Sequence, residues 1–141
     1  MQGRPFYVFT AVQVIAAAAL LWLVFSMSGP WDLQRSIGAT LVIAGMGGIA
    51  IARCQLGKSF SVKPDAHQLV THGIYSKIRN PVYVFGAVML AGFVLVLHRP
   101  ILWLFFLAVV VMQTLRARRE ARVLEAAFGD AYREYRGKTW F

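Results

Sequence analysis

The sequence predicts an all-α integral membrane protein, a bundle of four transmembrane helices with a polar connector and an amphipathic C-terminal helix. The chain has 141 residues, which suits a single domain, here residues 1–141. Charged residues make up 15% of the chain and hydrophobic residues 58%. Soluble domains carry about 25% charged residues. This deficit and the long charge-free runs together favour a membrane domain over a soluble one.

The four predicted spans each contain a run without charged side chains. A spanning helix needs roughly 20 mostly apolar residues, with a range of about 17–25. The fourth run is short, so it requires its Arg116 end to snorkel or the bilayer to thin locally. Core helices of a soluble bundle also lack charge, but four such runs leave too little polar surface for that alternative. The predicted spans are about residues 5–27, 36–54, 81–97 and 100–115.

The first span ends at Ser28-Gly29-Pro30, since proline cannot continue a helix. A signal peptide is the alternative interpretation of this run. Signal peptides, however, have an apolar region of only about 7–15 residues and a small-residue cleavage site. This run is longer and has no convincing cleavage site. It therefore predicts a retained anchor, followed by a loop in which Trp31 is an interface anchor.

The second span is rich in small residues. Ala44, Gly48 and Ala52 are spaced four apart, a spacing that lets helices approach closely in lipid. Its GMGGIA stretch superficially resembles a dinucleotide-binding loop. That motif needs a preceding strand and an accessible helix start, which an apolar span does not offer. Helix packing is therefore the interpretation of these glycines.

The third and fourth spans are separated only by His98-Arg99-Pro100, so they are predicted to form a tight antiparallel hairpin. After Leu115 the sequence becomes polar, with apolar and aromatic residues at helical spacing. This pattern predicts an amphipathic helix over residues 116–136 that continues from the fourth span. Gly129 is expected to break it, with Asp130 capping a second piece.

The net charge of +9 is explained by topology rather than by nucleic-acid binding. With a cytoplasmic N-terminus, four spans place Arg4, the basic residues of 53–79 and the tail on one side. Only Arg35 and Arg99 lie outside, which fits the positive-inside rule and attraction to anionic lipid. Both termini are then cytoplasmic, and the short chain favours a prokaryotic inner membrane. The single cysteine, Cys54, excludes an internal disulfide.

Familiar catalytic patterns are missing from the sequence. The three histidines have no zinc spacing, so no metal site is predicted, and only six acidic residues are present. The remaining candidates for a functional site are the connector of residues 55–80 and the tail, which could together cover a pocket at the cytoplasmic ends of the last two spans. Arg116 and Glu120, four apart, share a helix face. They form either a surface ion pair that contributes about 0.3–0.5 kcal/mol to stability, or a functional pair in which Arg116 binds an anion and Glu120 binds an ammonium group.

Two stretches carry a family resemblance. HQLVTHGIYSKIRNPVY, residues 67–83, and RARREARVLEAAFGDAYREY, residues 116–135, resemble the isoprenylcysteine carboxyl methyltransferases and related membrane phospholipid methyltransferases. The two blocks, their order and the hairpin between them make the match specific. The matching residues are His67, Leu69, Val70, Thr71, Gly73, Tyr75, Arg79, Pro81 and Tyr83, then Arg116, Glu120, Leu124, Phe128, Gly129, Tyr132 and Tyr135.

The resemblance implies S-adenosylmethionine as the methyl donor. It implies that Glu120 meets the ammonium group of this cofactor and that Arg116 positions the carboxylate of the acceptor. Two positions depart from the family pattern: Asn80 replaces a histidine, and Ala121 replaces a second glutamate. Both departures bear on the substrate and geometry of the site. The remaining implied cofactor-binding residues are His67, Gln68, Leu69, Val70, Gly73, Tyr75, Asn80, Pro81, Val82 and Tyr83.

The implied activity is O-methylation of a carboxylate on a hydrophobic, isoprenoid or prenylcysteine-like acceptor. A carboxylate is ionised at neutral pH, with a reference pKa of about 4, so no general base is needed. The remaining catalytic task is alignment of the nucleophile with the methyl carbon. Two alternatives stay open: N-methylation of a phospholipid or amine, and a non-catalytic lipid-binding adaptor. The expected partners are the acceptor and membrane lipid, without nucleic acid, and the oligomeric state is left open.

Overall fold

The computed structural model describes residues 3–56 and 69–141, with residues 3–10 as backbone only. These residues form five α-helices and one short 3-10 helix, Gly73–Ser76. An isolated bridge between Ile78 and Trp140 is the extended pairing found in this part of the chain. The all-α prediction is thus confirmed. The helices are α1 Gly3–Ser26, α2 Leu33–Leu56, α3 Pro81–Leu97, α4 Leu102–Phe128 and α5 Asp130–Lys138.

The predicted spans agree with the helices to different degrees. Within the described ranges, α2 is long and apolar enough to cross a membrane, and Ala11–Ser26 and Pro81–Leu97 are shorter apolar helices. α3 has the bounds predicted for the third span and begins with Pro81, where its missing N–H costs no hydrogen bond. The apolar part of α4 belongs neither to the helices long and apolar enough to cross a membrane nor to the shorter apolar helices. One clear span is therefore found, and the four-span arrangement remains a prediction.

The closest helix packing is between α2 and α3, and glycine permits it. A Cβ atom at Gly92 would lie 2.5 Å from the carbonyl oxygen of Gly38 and 2.7 Å from the amide nitrogen of Val42. The backbones of the two helices are therefore almost in contact at this level. Small residues were expected to allow such packing, but Ala44 is exposed while Gly45 is buried. The contact face follows the helical period through Gly38, Gly45, Gly48 and Ala52.

Arg35 is buried where α1 and α2 meet. It is 3% exposed, and its guanidinium donates hydrogen bonds to the carbonyl oxygens of Val24, Met27 and Gly29 at distances of 2.7–3.1 Å. These carbonyls lie at the end of α1, where a cation is favoured by the helix dipole. Asp32 caps α2 by accepting the Arg35 N–H at 2.7 Å. The sequence predicted that Arg35 lies in a loop, whereas in the structure it belongs to α2 and its hydrogen bonds connect α2 to the C-terminal end of α1.

α4 continues past the fourth predicted span into the amphipathic helix, as predicted, and ends at Phe128. Gly129 breaks the helix with a φ of +51°, a conformation that glycine adopts without steric cost. The prediction that Asp130 caps the next helix is wrong: the cap position is Gly129. Asp130 is already the first residue of α5, so its carboxylate instead accepts from Arg133 at 3.0 Å.

His98 joins the α3–α4 turn to the loop before α2. Its Nε2 lies 2.9 Å from Asp32 Oδ2, and its Nδ1 lies 3.0 Å from the carbonyl oxygen of Val96. A carboxylate and a carbonyl only accept hydrogen bonds, so only the doubly protonated ring can donate to both. These two contacts raise the pKa of His98, and the Arg35 N–H and His98 lower the pKa of Asp32. The pair is therefore strongest while both groups are charged.

This pair predicts a pH-dependent stability. Because the folded pKa of His98 is raised, its contribution is complete below about pH 6.5 and is lost as the pH rises through the folded value. We expect the thermal midpoint of wild type in detergent to fall more between about pH 6 and pH 9 than that of His98→Asn. Asparagine tolerates the left-handed backbone of this position, where φ is +52°. The other histidines are present in both proteins, so parallel pH profiles would contradict the assignment.

Candidate active site

The connector re-enters the described part of the chain beside the end of α2. The backbone N–H of Ile74 donates to Gln55 Oε1 at 2.7 Å, and the Gln55 side chain packs directly against Gly73. Gly73 has a φ of +61°, and a Cβ at this position would overlap Gln55. Gly73 therefore permits a turn in which the connector closely approaches the end of α2. Gln55 was placed in the connector by the sequence but belongs to α2.

Tyr75 is buried in the 3-10 helix, at 6% exposure, and its backbone is held from α5. The hydroxyl of Tyr135 donates a hydrogen bond to the carbonyl oxygen of Tyr75 at 2.7 Å. The ring of Tyr132 lies beside that of Tyr135, with centroids 6.2 Å apart. The connector and the tail, 60 residues apart in sequence, therefore meet through these tyrosines.

Tyr75 and Tyr135, which join the connector to the tail, remain neutral at physiological pH. Burial, with a smaller contribution from Tyr135, raises the pKa of Tyr75 to about 12, although Arg53 opposes the shift. Burial and then Tyr132 raise the pKa of Tyr135 to about 12, opposed by Arg79. A tyrosine with so high a pKa donates hydrogen bonds but does not act as a base near neutrality. These residues can therefore shape the site but not abstract a proton.

The turn that leads into α3 is paired with residues 139–141. The Trp140 N–H donates to the Lys77 carbonyl at 3.0 Å, and the Trp140 carbonyl accepts from the Arg79 N–H at 3.3 Å. The Asn80 N–H donates to the Phe141 carbonyl at 2.9 Å. The Asn80 carbonyl in turn accepts from the Tyr83 N–H at 3.1 Å, within the first turn of α3. The backbone of Asn80 is thus fixed on both sides.

Tyr83, Glu120 and Arg116 form a polar cluster between α3 and α4. The Tyr83 hydroxyl donates to Glu120 Oε1 at 2.7 Å, and Arg116 Nε donates to the same oxygen at 3.2 Å. The Arg116–Glu120 pair expected from the helical spacing is therefore present. The Glu120 side chain is 26% exposed and that of Arg116 is 55% exposed, so both can reach a ligand at this surface.

The predicted site residues separate into three groups. Gly73, Tyr75, Asn80, Pro81, Val82 and Tyr83 lie on the connector turn and the start of α3, and Arg116 and Glu120 face that start from α4. Leu69 and Val70 are half-buried in the coil that precedes the 3-10 helix. His67 and Gln68 lie outside the described residues. The roles assigned to all these residues remain predictions.

Three contributors were missed by the sequence interpretation: Gln55, Tyr135 as a site residue, and residues 139–141. Tyr135 was visible as a match in the second block, but nothing in the sequence indicated that its partner is the backbone of Tyr75. The residues that the structure describes contain no group of three His, Cys, Asp or Glu side chains able to hold a metal ion.

Comparison with known proteins places the chain in a family. The family model for phospholipid methyltransferases (PEMT) matches residues 33–131, from the start of α2 into α5. A protein from Schizosaccharomyces pombe named protein-S-isoprenylcysteine O-methyltransferase is 38% identical over an alignment of 101 residues. The alignment covers 62% of this chain and 40% of that relative, so the chain spans well under half of its length. No solved structure matches. The family match covers most of the chain, and the chain belongs to the phospholipid methyltransferase family.

Proposed function

We propose that this protein is an S-adenosylmethionine-dependent membrane methyltransferase that O-methylates a carboxylate on a hydrophobic, prenylcysteine-like acceptor. The observation that carries this proposal is the cluster of Tyr83, Glu120 and Arg116. It brings an acidic and a basic side chain to the start of an apolar helix. The family membership and the name of the yeast relative support the same reaction class.

The residues at this site suit the charged cofactor. Glu120 is a carboxylate whose Oε1 accepts from both Tyr83 and Arg116, so we assign Oε2 to the ammonium group of the cofactor. Tyr75 and Tyr83 provide neutral aromatic and hydroxyl groups, and Asn80 provides a side-chain amide. When bound, the cofactor supplies a methyl group activated by a sulfonium. The other residues that we propose line its binding site are Leu69, Val70, Gly73, Pro81 and Val82, with His67 and Gln68.

The acceptor side is assigned to Arg116. Its guanidinium is a planar fork that matches a carboxylate, and its exposure allows a ligand to approach from outside the cluster. The carboxylate must be held in line with the methyl group without excess stabilisation, because only interactions stronger in the transition state accelerate the reaction. The neutral tyrosines provide no base, and an ionised carboxylate nucleophile requires none.

The location at a membrane is supported by the outer faces of α1 and α4. Large apolar side chains are exposed there, for example Ile15 at 68%, Trp22 at 72%, Leu104 at 66% and Met112 at 70%. Exposed apolar surface of this extent is typical of a face covered by lipid or by a partner. We propose the four-span arrangement with cytoplasmic termini in a prokaryotic inner membrane, and entry of the acceptor sideways between helices.

A second candidate function is N-methylation of a phospholipid amine. The name of the matched family favours it, since that family is described by phospholipid methylation. An amine must lose a proton in order to attack. Arg116, next to the proposed acceptor position, would repel the cationic ammonium form. For this reason the carboxylate acceptor is our first proposal.

Labelled S-adenosylmethionine tests the proposed function directly. We expect the detergent-solubilised protein to bind S-adenosylhomocysteine in calorimetry and to transfer labelled methyl to a prenylated cysteine carboxylate. Transfer to phosphatidylethanolamine instead would support the N-methyltransferase. Absence of both cofactor binding and methyl transfer would contradict the enzyme and favour the lipid-binding adaptor. A prenylcysteine amide, which lacks the nucleophilic carboxylate, is the matched control acceptor.

A further inference from the structure

Among the residues that the structure describes, one side-chain hydrogen bond and three backbone hydrogen bonds hold the polar connector to the tail. Tyr135 donates to the carbonyl of Tyr75 at 2.7 Å. Residues 139–141 pair in parallel with residues 77–80 through the three backbone hydrogen bonds described above, which measure 2.9–3.3 Å. We call these four hydrogen bonds the clasp. All of them reach the backbone of the connector, at positions that lie between or at the proposed cofactor-binding residues Tyr75 and Asn80.

The connector has little regular structure of its own within the residues that the structure describes. Its regular structure is a single 3-10 turn, Gly73–Ser76, and short 3-10 pieces are weakly stable alone. Gln55 holds one end of this turn at Ile74, and α3 begins directly after Asn80. Between these supports, the clasp bonds the backbone groups of Tyr75, Lys77, Arg79 and Asn80. Because fixing the backbone of a residue costs conformational entropy, loss of the clasp would add that cost to ligand binding.

We propose that Tyr135 and residues 139–141 are positioning elements that hold the connector in its cofactor-binding geometry. This inference rests on the proposed function and extends it to a part of the chain outside the matched family segment, which ends at residue 131. The clasp acts through the connector. Tyr135 fixes the carbonyl of Tyr75, and Trp140 and Phe141 fix the carbonyl of Lys77 and the N–H groups of Arg79 and Asn80. The ordered site is therefore completed by the residues beyond α4.

Two pairs of variants isolate the clasp from other effects. Trp140→Pro removes the N–H that bonds Lys77, whereas Trp140→Ala removes the exposed ring and keeps that N–H. Thr139 has φ −123° and ψ 150°, the extended conformation preferred before proline, so the preceding residue accommodates the proline. Tyr135→Phe removes only the hydroxyl. Its control is Glu134→Gln, which breaks an exposed ion pair with Lys138 on the same helix.

Calorimetry with S-adenosylhomocysteine supplies the test. We expect Tyr135→Phe and Trp140→Pro to raise the Kd about threefold to tenfold, the value of one ordinary hydrogen bond. Trp140→Ala and Glu134→Gln should bind as wild type does. The KM for the donor should rise in the clasp variants, while the KM for the acceptor and the kcat at saturating donor stay unchanged. Partial unfolding alone would lower the binding stoichiometry and leave the Kd unaltered.

The outcomes separate this inference from the proposed function. If wild type binds the probe and both clasp variants bind it with the same Kd, the clasp has no positioning role. A loss of stoichiometry at constant Kd would likewise reduce it to a structural contact. If wild type itself binds neither the donor nor the probe, the proposed function fails first.

Discussion

Replacing Glu120 by glutamine is expected to raise the Kd for S-adenosylhomocysteine by about tenfold to a hundredfold, the range of a hydrogen bond to a charged group. The substitution keeps the size of the side chain and an acceptor oxygen for Tyr83, 2.7 Å away. It removes the negative charge that we assign to the ammonium group of the cofactor. Calorimetry on the detergent-solubilised variant measures the change.

Glu125→Gln is the matched control for this substitution. Glu125 lies on the same helix and forms ion pairs with Arg133 and Arg136, at 3.0 and 3.8 Å, away from the start of α3. The control makes the same change in charge and should leave the Kd unaltered. Equal affinity of Glu120→Gln and wild type would remove Glu120 from the cofactor site. Equal losses in both variants would indicate a long-range charge effect instead.

Tyr83 and Arg116 are expected to be coupled to Glu120, because both donate to its Oε1. Tyr83→Phe should therefore weaken cofactor binding in the same direction as Glu120→Gln, and a double-mutant cycle should show that their effects are not additive. Arg116→Ala should mainly raise the KM for the acceptor. The shared oxygen means that part of its effect will also appear in cofactor binding, so the two halves of the site are not independent.

The sequence was most informative where a local rule operates. The proline at position 81 predicted the start of α3, and the glycine at position 129 predicted the end of α4. The helical spacing predicted the Arg116–Glu120 pair. Composition gave the helical class without distinguishing a clear span from a marginal one. The apolar part of α4 is followed directly by charged residues in the same helix, and the change in composition after Leu115 predicted this boundary.

The contacts that complete the site were not predictable because they join distant residues. Gln55 and Ile74 are 19 positions apart, and Tyr135 and Tyr75 are 60 apart. No periodicity relates such pairs, and each partner in the connector is a backbone group, which leaves no mark on the sequence. Arg35 is similar: its three acceptors are carbonyls, so the sequence showed only an isolated basic residue in a predicted loop.

The second large effect is expected at the α2–α3 contact, which also positions the site. At Gly45, a Cβ atom would lie 2.6 Å from both the Cβ and the amide nitrogen of Met89, and 2.7 Å from the carbonyl oxygen of Phe85. Because the obstacles include backbone atoms, α3 itself must move. We expect Gly45→Ala to destabilise the protein by about 1–3 kcal/mol, the usual cost of overpacking. Gly92→Ala should behave alike, since it meets the backbone of Gly38 and Val42.

Gly47→Ala is the control, because it should have the opposite sign. Gly47 lies two residues further along the same helix, and a Cβ atom at this position would have nothing within 4 Å of it. Alanine there lowers the entropy cost of the helix and should stabilise the protein by about 0.5–1 kcal/mol. Unfolding in mixed detergent micelles measures both changes. Because α3 also carries Tyr83, whose hydroxyl bonds Glu120, Gly45→Ala should weaken cofactor binding while Gly47→Ala leaves it unchanged. Stabilisation of equal size in both variants would mean that helix propensity, and not contact between α2 and α3, governs these positions.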